Sequence, residues 1–166
     1  MIKTLLREKY KQCCTREDFF NMRQELKNCN LEVFEKEMDM LKLKSNPLAK
    51  IVLGKSLEKY VDFGKLILTV DKFDKTHYLL IPKDLSYFNV LTLKKEDIPL
   101  LQDMKAIIKK HVGEDYVLFF HCYPYNSIHT LHLHVIQKEY YVFRNNNLNI
   151  EDVIFVLENE EEMEKI

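Results

Sequence analysis

Residues 127–136 read Ser-Ile-His-Thr-Leu-His-Leu-His-Val-Ile. Successive side chains on a β-strand point to opposite faces, so this alternation of polar and apolar residues predicts a strand. Thr130, His132 and His134 then share one face, while Leu131, Leu133 and Val135 share the other. The first face is rich in imidazole and the second is a core surface. Of the six histidines in the chain, four lie between residues 121 and 134, which concentrates titratable groups in one place.

Working outward, short strand-like runs surround this stretch: 50–53 (KIVL), 65–71 (KLILTVD), 77–82 (HYLLIP) and 116–122 (YVLFFHC). Between them Ile98, Leu101, Met104, Ala106 and Ile108 predict one long amphipathic helix ending near Gly113. Upstream of Asn46-Pro47, residues 1–45 read as a charged helical extension. Thr15 followed by Asp18 resembles a capping box that starts a helix at Arg16. Leu31, Phe34, Met38 and Leu41 place an apolar stripe on a second helix, suited to docking on the rest of the chain or to a partner. The C-terminal residues predict a short helix and then a frayed, solvated acidic end over 159–166. Residues 46–158 then form the main domain. The connection at 71–77 is too short for a parallel crossover, so the fold class is α+β with an antiparallel sheet.

Composition narrows the function classes. The chain has 166 residues, 46% hydrophobic and 31% charged, the balance of an ordinary globular protein. A formal net charge of −1 supplies no global field for nucleic acid or anionic lipid, though a small nucleotide remains compatible. No apolar run approaches the roughly 18 residues of a membrane span, and the N-terminus lacks a signal peptide's apolar stretch, which predicts a cytoplasmic protein. Cys13 and Cys14 are adjacent and Cys29 and Cys122 stand apart, a spacing that fits reduced thiols rather than a C-x-x-C zinc half-site.

Two chemistries suit imidazoles at i and i+2. A metal ion could bridge them, given further ligands such as His121 or His77. Alternatively one neutral imidazole attacks phosphorus while its neighbour donates to phosphate oxygens. A structural pair on an exposed strand face is the third possibility.

Two separated blocks resemble the histidine-triad family. The stretch HCYPYNSIHTLHLHVI (121–136) is similar to its His-x-His-x-His motif followed by apolar residues, and His77-Tyr78-Leu79-Leu80-Ile81-Pro82-Lys83 is similar to its upstream signature. Residues 62–140 are covered, and the likeness is greatest to the branch holding Hint-like nucleoside phosphoramidases, aprataxin and the C-terminal half of the scavenger mRNA-decapping enzyme. That resemblance implies a HIT-like fold and a nucleotide hydrolase or transferase acting on a phosphoramidate, dinucleoside polyphosphate or cap-like bond. It implies no cofactor and no metal, since zinc-bearing relatives use ligands this chain lacks. A capped RNA or adenylated DNA end is a further substrate form, and the resemblance implies pairing into a homodimer, with a monomer as the alternative if the N-terminal helices cover the pairing surface.

By the same resemblance, His132 is the nucleophile that forms a nucleotidyl-histidine intermediate, and His134 contacts phosphate. Ser127 donates to the phosphate or leaving group. His77 belongs to the relay, His121 matches the histidine of the aprataxin-like branch, and Asp71 matches the ribose-binding acid. Apart from the resemblance, residues 123–126 read as a turn-like loop ahead of the motif, and Asn126, next to Ser127, is expected near substrate. One departure stands out: the first triad position holds Thr130. In the family this chain resembles, the nucleophile is oriented by a backbone carbonyl, which survives a change of side chain, so attack by His132 is compatible with threonine there. A β-bulge at 129–130 would instead bring His129 onto the active face. The competing reading is a nucleotide-binding regulatory or scaffold protein with weak or absent turnover.

Overall fold

A computed structural model describes residues 2–29, 48, 60–71, 74–87, 89–122 and 130–165. Two N-terminal helices, α1 (Ile2–Lys9) and α2 (Arg16–Lys27), precede the strands β1 (Tyr60–Asp62), β2 (Leu66–Asp71) and β3 (Asp74–Pro82). Helix α3 (Ile98–His111) follows, then β4 (Tyr116–His121), β5 (Leu133–Gln137), β6 (Asn147–Asn149) and α4 (Ile150–Met163). The six strands form one antiparallel sheet in the order β1-β2-β3-β5-β4-β6. No helix among the described residues is long and apolar enough to cross a membrane.

The sheet is two-faced because its strands alternate. Leu66, Leu68, Leu80, Phe120, Leu133, Val135 and Leu148 enter the main core with residues of α1, α2, α3 and α4. Helix α3 contributes Leu101, Met104 and Ile108, spaced three and four apart on one side. Ala106 is exposed, against the expected stripe, because two positions from either Met104 or Ile108 is the opposite side of a 3.6-residue turn. On the other face of the sheet a smaller cluster of Leu48, Ile67, Leu79 and Ile81 continues into the histidine row.

Helix α2 begins as its sequence predicts. Thr15 Oγ1 accepts from Asp18 N at 3.1 Å, and Asp18 Oδ2 accepts from Thr15 N at 3.2 Å. It packs through Phe19, Met22, Arg23 and Leu26. Arg23 forms a two-pronged pair with Glu160 (2.9 and 3.0 Å) and donates to the carbonyls of Leu91 (2.8 Å) and Leu93 (2.6 Å). The acidic end therefore differs from expectation. It stays helical to Met163, because Arg23 and Lys27, one turn apart on α2, supply the cations that face Glu160 and Glu164. Lys83, at the end of β3, pairs with Asp62 at 2.7 Å. The four cysteines are free thiols. The 50–53 strand and the stripe at 31–41 lie outside the described residues.

Candidate active site

Strand pairing brings the predicted histidines to one place. Leu79 of β3, His134 of β5 and Phe119 of β4 stand directly opposite one another across three strands, so they share a face. His77 lies two residues before Leu79 and His121 two after Phe119, which keeps both on that face. The result is a ring cluster around His134. Its centroid lies 4.1 Å from His121, 4.9 Å from His77 and 4.9 Å from His132. Phe119 stacks against it at 5.1 Å with the ring planes 8° apart.

The strand opens at Leu133, later than the alternation from Thr130 onward predicts. Leu131 N donates to the carbonyl of Tyr87 at 3.1 Å, so Leu131 and His132 stand off the ladder, which begins at Leu133. That places His132 where the chain bends into the sheet. Its Nδ1 lies 2.7 Å from the Thr130 carbonyl. A carbonyl oxygen carries no proton, so Nδ1–H donates, and in the neutral ring the lone pair belongs to Nε2. Thr130 therefore contributes its backbone rather than its side chain to this orientation.

His77 and His134 meet through His77 Nε2 and His134 Nδ1 at 2.8 Å, so one of the two nitrogens carries the proton. His134 is buried, and its Nε2 has no hydrogen-bond partner among the described residues. Such an atom is costly unless something polar meets it. Burial is also the main force on its protonation. It pushes the His134 imidazolium well below the usual histidine range, with the neighbouring His132, His121 and His77 acting in the same direction. His121 is pushed down to about 4, first by burial and then by His132, while the Asn147 carboxamide opposes the shift. Both rings are neutral near pH 7. Among the described residues no group of three or more histidine, cysteine, aspartate or glutamate side chains is arranged to hold a metal ion.

Of the residues singled out from sequence, His77, His121, His132, His134 and Thr130 are brought together. Asp71 closes β2, but its side chain is outside the described ones. Asn126, Ser127 and His129, with the bulge at 129–130, lie outside the described residues. Sequence reasoning missed Phe119, although its position two residues before His121 placed both on one face. It also missed Tyr141, whose ring packs on Phe119 at 5.4 Å, and which no local period marks.

The family described as "Scavenger mRNA decapping enzyme C-term binding" matches residues 51–149, more than half of the chain. The chain belongs to this histidine-triad family. Among solved structures, a histidine-triad protein from Clostridium difficile is 16% identical, with 60% of this chain and 95% of that one covered at a TM-score of 0.52. A HIT family hydrolase from Legionella pneumophila is 21% identical over 55% of this chain and 91% of that one (TM-score 0.48). The aprataxin ortholog Hnt3 from Schizosaccharomyces pombe is 17% identical over 58% and 59% (TM-score 0.39). No curated protein matches the sequence. The histidine-triad fold thus accounts for the antiparallel sheet, and the histidine row occupies the face away from the α3 and α4 helices.

Proposed function

We propose that the chain is a nucleotide hydrolase or transferase in which His132 is the nucleophile. The observation that carries this reading is the Nδ1 contact of His132 with the Thr130 carbonyl, which assigns the lone pair to Nε2. Nε2 attacks the α-phosphorus and an N–P bond forms. The P–O or P–N bond to the leaving group breaks, and the leaving atom keeps the electron pair and takes up a proton. Water then attacks the same phosphorus and gives up a proton to solvent, which balances the one taken up by the leaving group; the N–P bond breaks, and the neutral imidazole is restored.

His134 serves the phosphate oxygens in this scheme. If His77 Nε2–H donates to His134 Nδ1, then His134 Nε2 carries a proton and becomes a donor at a desolvated position. Neutral rings suit both tasks, because a protonated nucleophile has no lone pair to offer. Substrates are nucleoside phosphoramidates, dinucleoside polyphosphates or cap-like dinucleotides.

The test is release of mononucleotide from an adenosine phosphoramidate, a dinucleoside polyphosphate and a methylated cap dinucleotide. Turnover of at least one is expected, reduced roughly a thousandfold or more in His132→Ala. Thr130 at the first triad position favours a second reading, a binding protein without turnover. Saturable nucleotide binding with no product from any of the three would establish that instead.

A further inference from the structure

The connection from β5 to β6 carries a feature that the histidine chemistry does not use. Strand β5 ends at Gln137, paired with Tyr116 at the far end of the sheet from His132, whereas Asn147 of β6 pairs with His121 beside the cluster. Residues 138–146 must therefore travel back along the sheet. They do so on the histidine face, since the Tyr141 ring packs on Phe119, which itself stacks on His134.

The segment is held in place by named contacts. Asn147 N donates to the Arg144 carbonyl at 3.0 Å and closes a turn. Asn147 Nδ2 reaches the Tyr141 hydroxyl at 3.4 Å. Cys13, from the loop between α1 and α2, donates its backbone N–H to the Asn145 carbonyl at 2.9 Å. Yet this anchored segment shows solvent its apolar and cationic side chains. Val142 is 70% exposed and Phe143 62% exposed, and Arg144 is also exposed. Arg144 makes no ion pair among the described residues. Its carbonyl holds the N–H of Asn147, which pairs with His121 across β4 and β6, so the turn at Arg144 stands at the edge of the histidine cluster.

We propose that this arm, Tyr141 to Asn146, is a leaving-group subsite, in which Arg144 binds a phosphate of the departing group and Phe143 offers its ring to the attached base. The inference rests on the nucleotide reading of the histidine cluster and extends it. Position and charge complementarity carry it. Tyr141 lays the arm on the histidine face and the turn at Arg144 adjoins the His121–Asn147 pair, so Arg144 brings a positive charge to the edge of a site that would hold an α-phosphate. A guanidinium matches phosphate oxygens with two parallel donors, and an exposed aromatic ring stacks a base irrespective of its identity. The arm thus favours substrates whose leaving group is itself a nucleotide over those that release a simple amine.

The experiment compares wild type, Arg144→Gln and Phe143→Ala on diadenosine triphosphate and on adenosine 5′-phosphoramidate. Arg144→Gln is expected to lower kcat/KM for the triphosphate about tenfold or more and to leave the phosphoramidate within about twofold. Phe143→Ala is expected to act in the same selective direction. Equal losses on both substrates, or no loss on either, overturn the subsite. Binding is read in parallel with a methylene-bridged diadenosine triphosphate and with AMP, so the outcome does not depend on turnover. Selective weakening of the bridged compound by Arg144→Gln in a chain that turns over nothing supports the subsite while defeating the hydrolase reading. Failure of wild type to bind either compound overturns both.

Discussion

At the scale of single residues, the site is organised by hydrogen-bond parity and by burial. His132 is oriented by a main-chain oxygen, so the threonine at the first triad position leaves that contact intact. His77 turns to His134. Burial of His121 and His134 has a measurable consequence for stability. In the unfolded chain both rings take up a proton as pH falls through the ordinary value of 6.5, whereas folded His121 resists until about 4 and folded His134 is also well depressed. The unfolded state then binds more protons than the native state, so native stability is complete near pH 7 and is lost as pH falls from about 6.5 toward 4. The loss is about 1.4 kcal/mol per pH unit for each such histidine. Urea denaturation at pH 7, 6 and 5 measures it, and His121→Gln is expected to flatten the slope. A profile as steep in the variant as in wild type would contradict the assignment to His121.

At the scale of elements, the decisive contact joins parts of the chain that are remote in sequence. Arg23 and Glu160 are both largely buried, and the guanidinium also holds two carbonyls of the turn at Leu91 to Leu93. Removing one partner leaves a buried charge and two carbonyls without their donor. Arg23→Ala is therefore expected to cost about 3 kcal/mol, read as a shift in denaturation midpoint. Exposed Arg16 paired with Asp152 provides the comparison, and Arg16→Ala should change stability by less than about 1 kcal/mol. Similar losses for the two variants would deny Arg23 its role as a tie. Elements with strong local patterning were legible beforehand: the capped start of α2, the stripe of α3, and the antiparallel pair β2–β3. Strands β1 and β6 were not, because three residues, Tyr60–Asp62 and Asn147–Asn149, are too few to show a period. The extent of α4 was also hidden, since its charge run reads as solvated until Arg23 and Lys27 are brought against it.

At the scale of the whole molecule, the N-terminal helices are part of the folded body. Leu6, Cys13, Phe19 and Met22 are fully buried in the main core, and Cys13 also steadies the arm beside the histidines. A chain truncated to begin at residue 46 is accordingly expected to lose cooperative unfolding or to aggregate, tested by thermal melting beside the full chain. Unchanged melting would show that the extension is dispensable. Alternation on the triad strand by itself determined that His134 faces away from the core side of Leu133 and Val135, and the two motif blocks determined the family. That is because strand parity is local and motif spacing is written along the chain. Only the tertiary structure decided that four histidines and Phe119 form one cluster, that Arg23 meets Glu160, and that the chain returns along the histidine face to pair Asn147 with His121. Those contacts depend on cross-strand register and on closure of the fold over long separations, and neither leaves a mark in any short window of sequence.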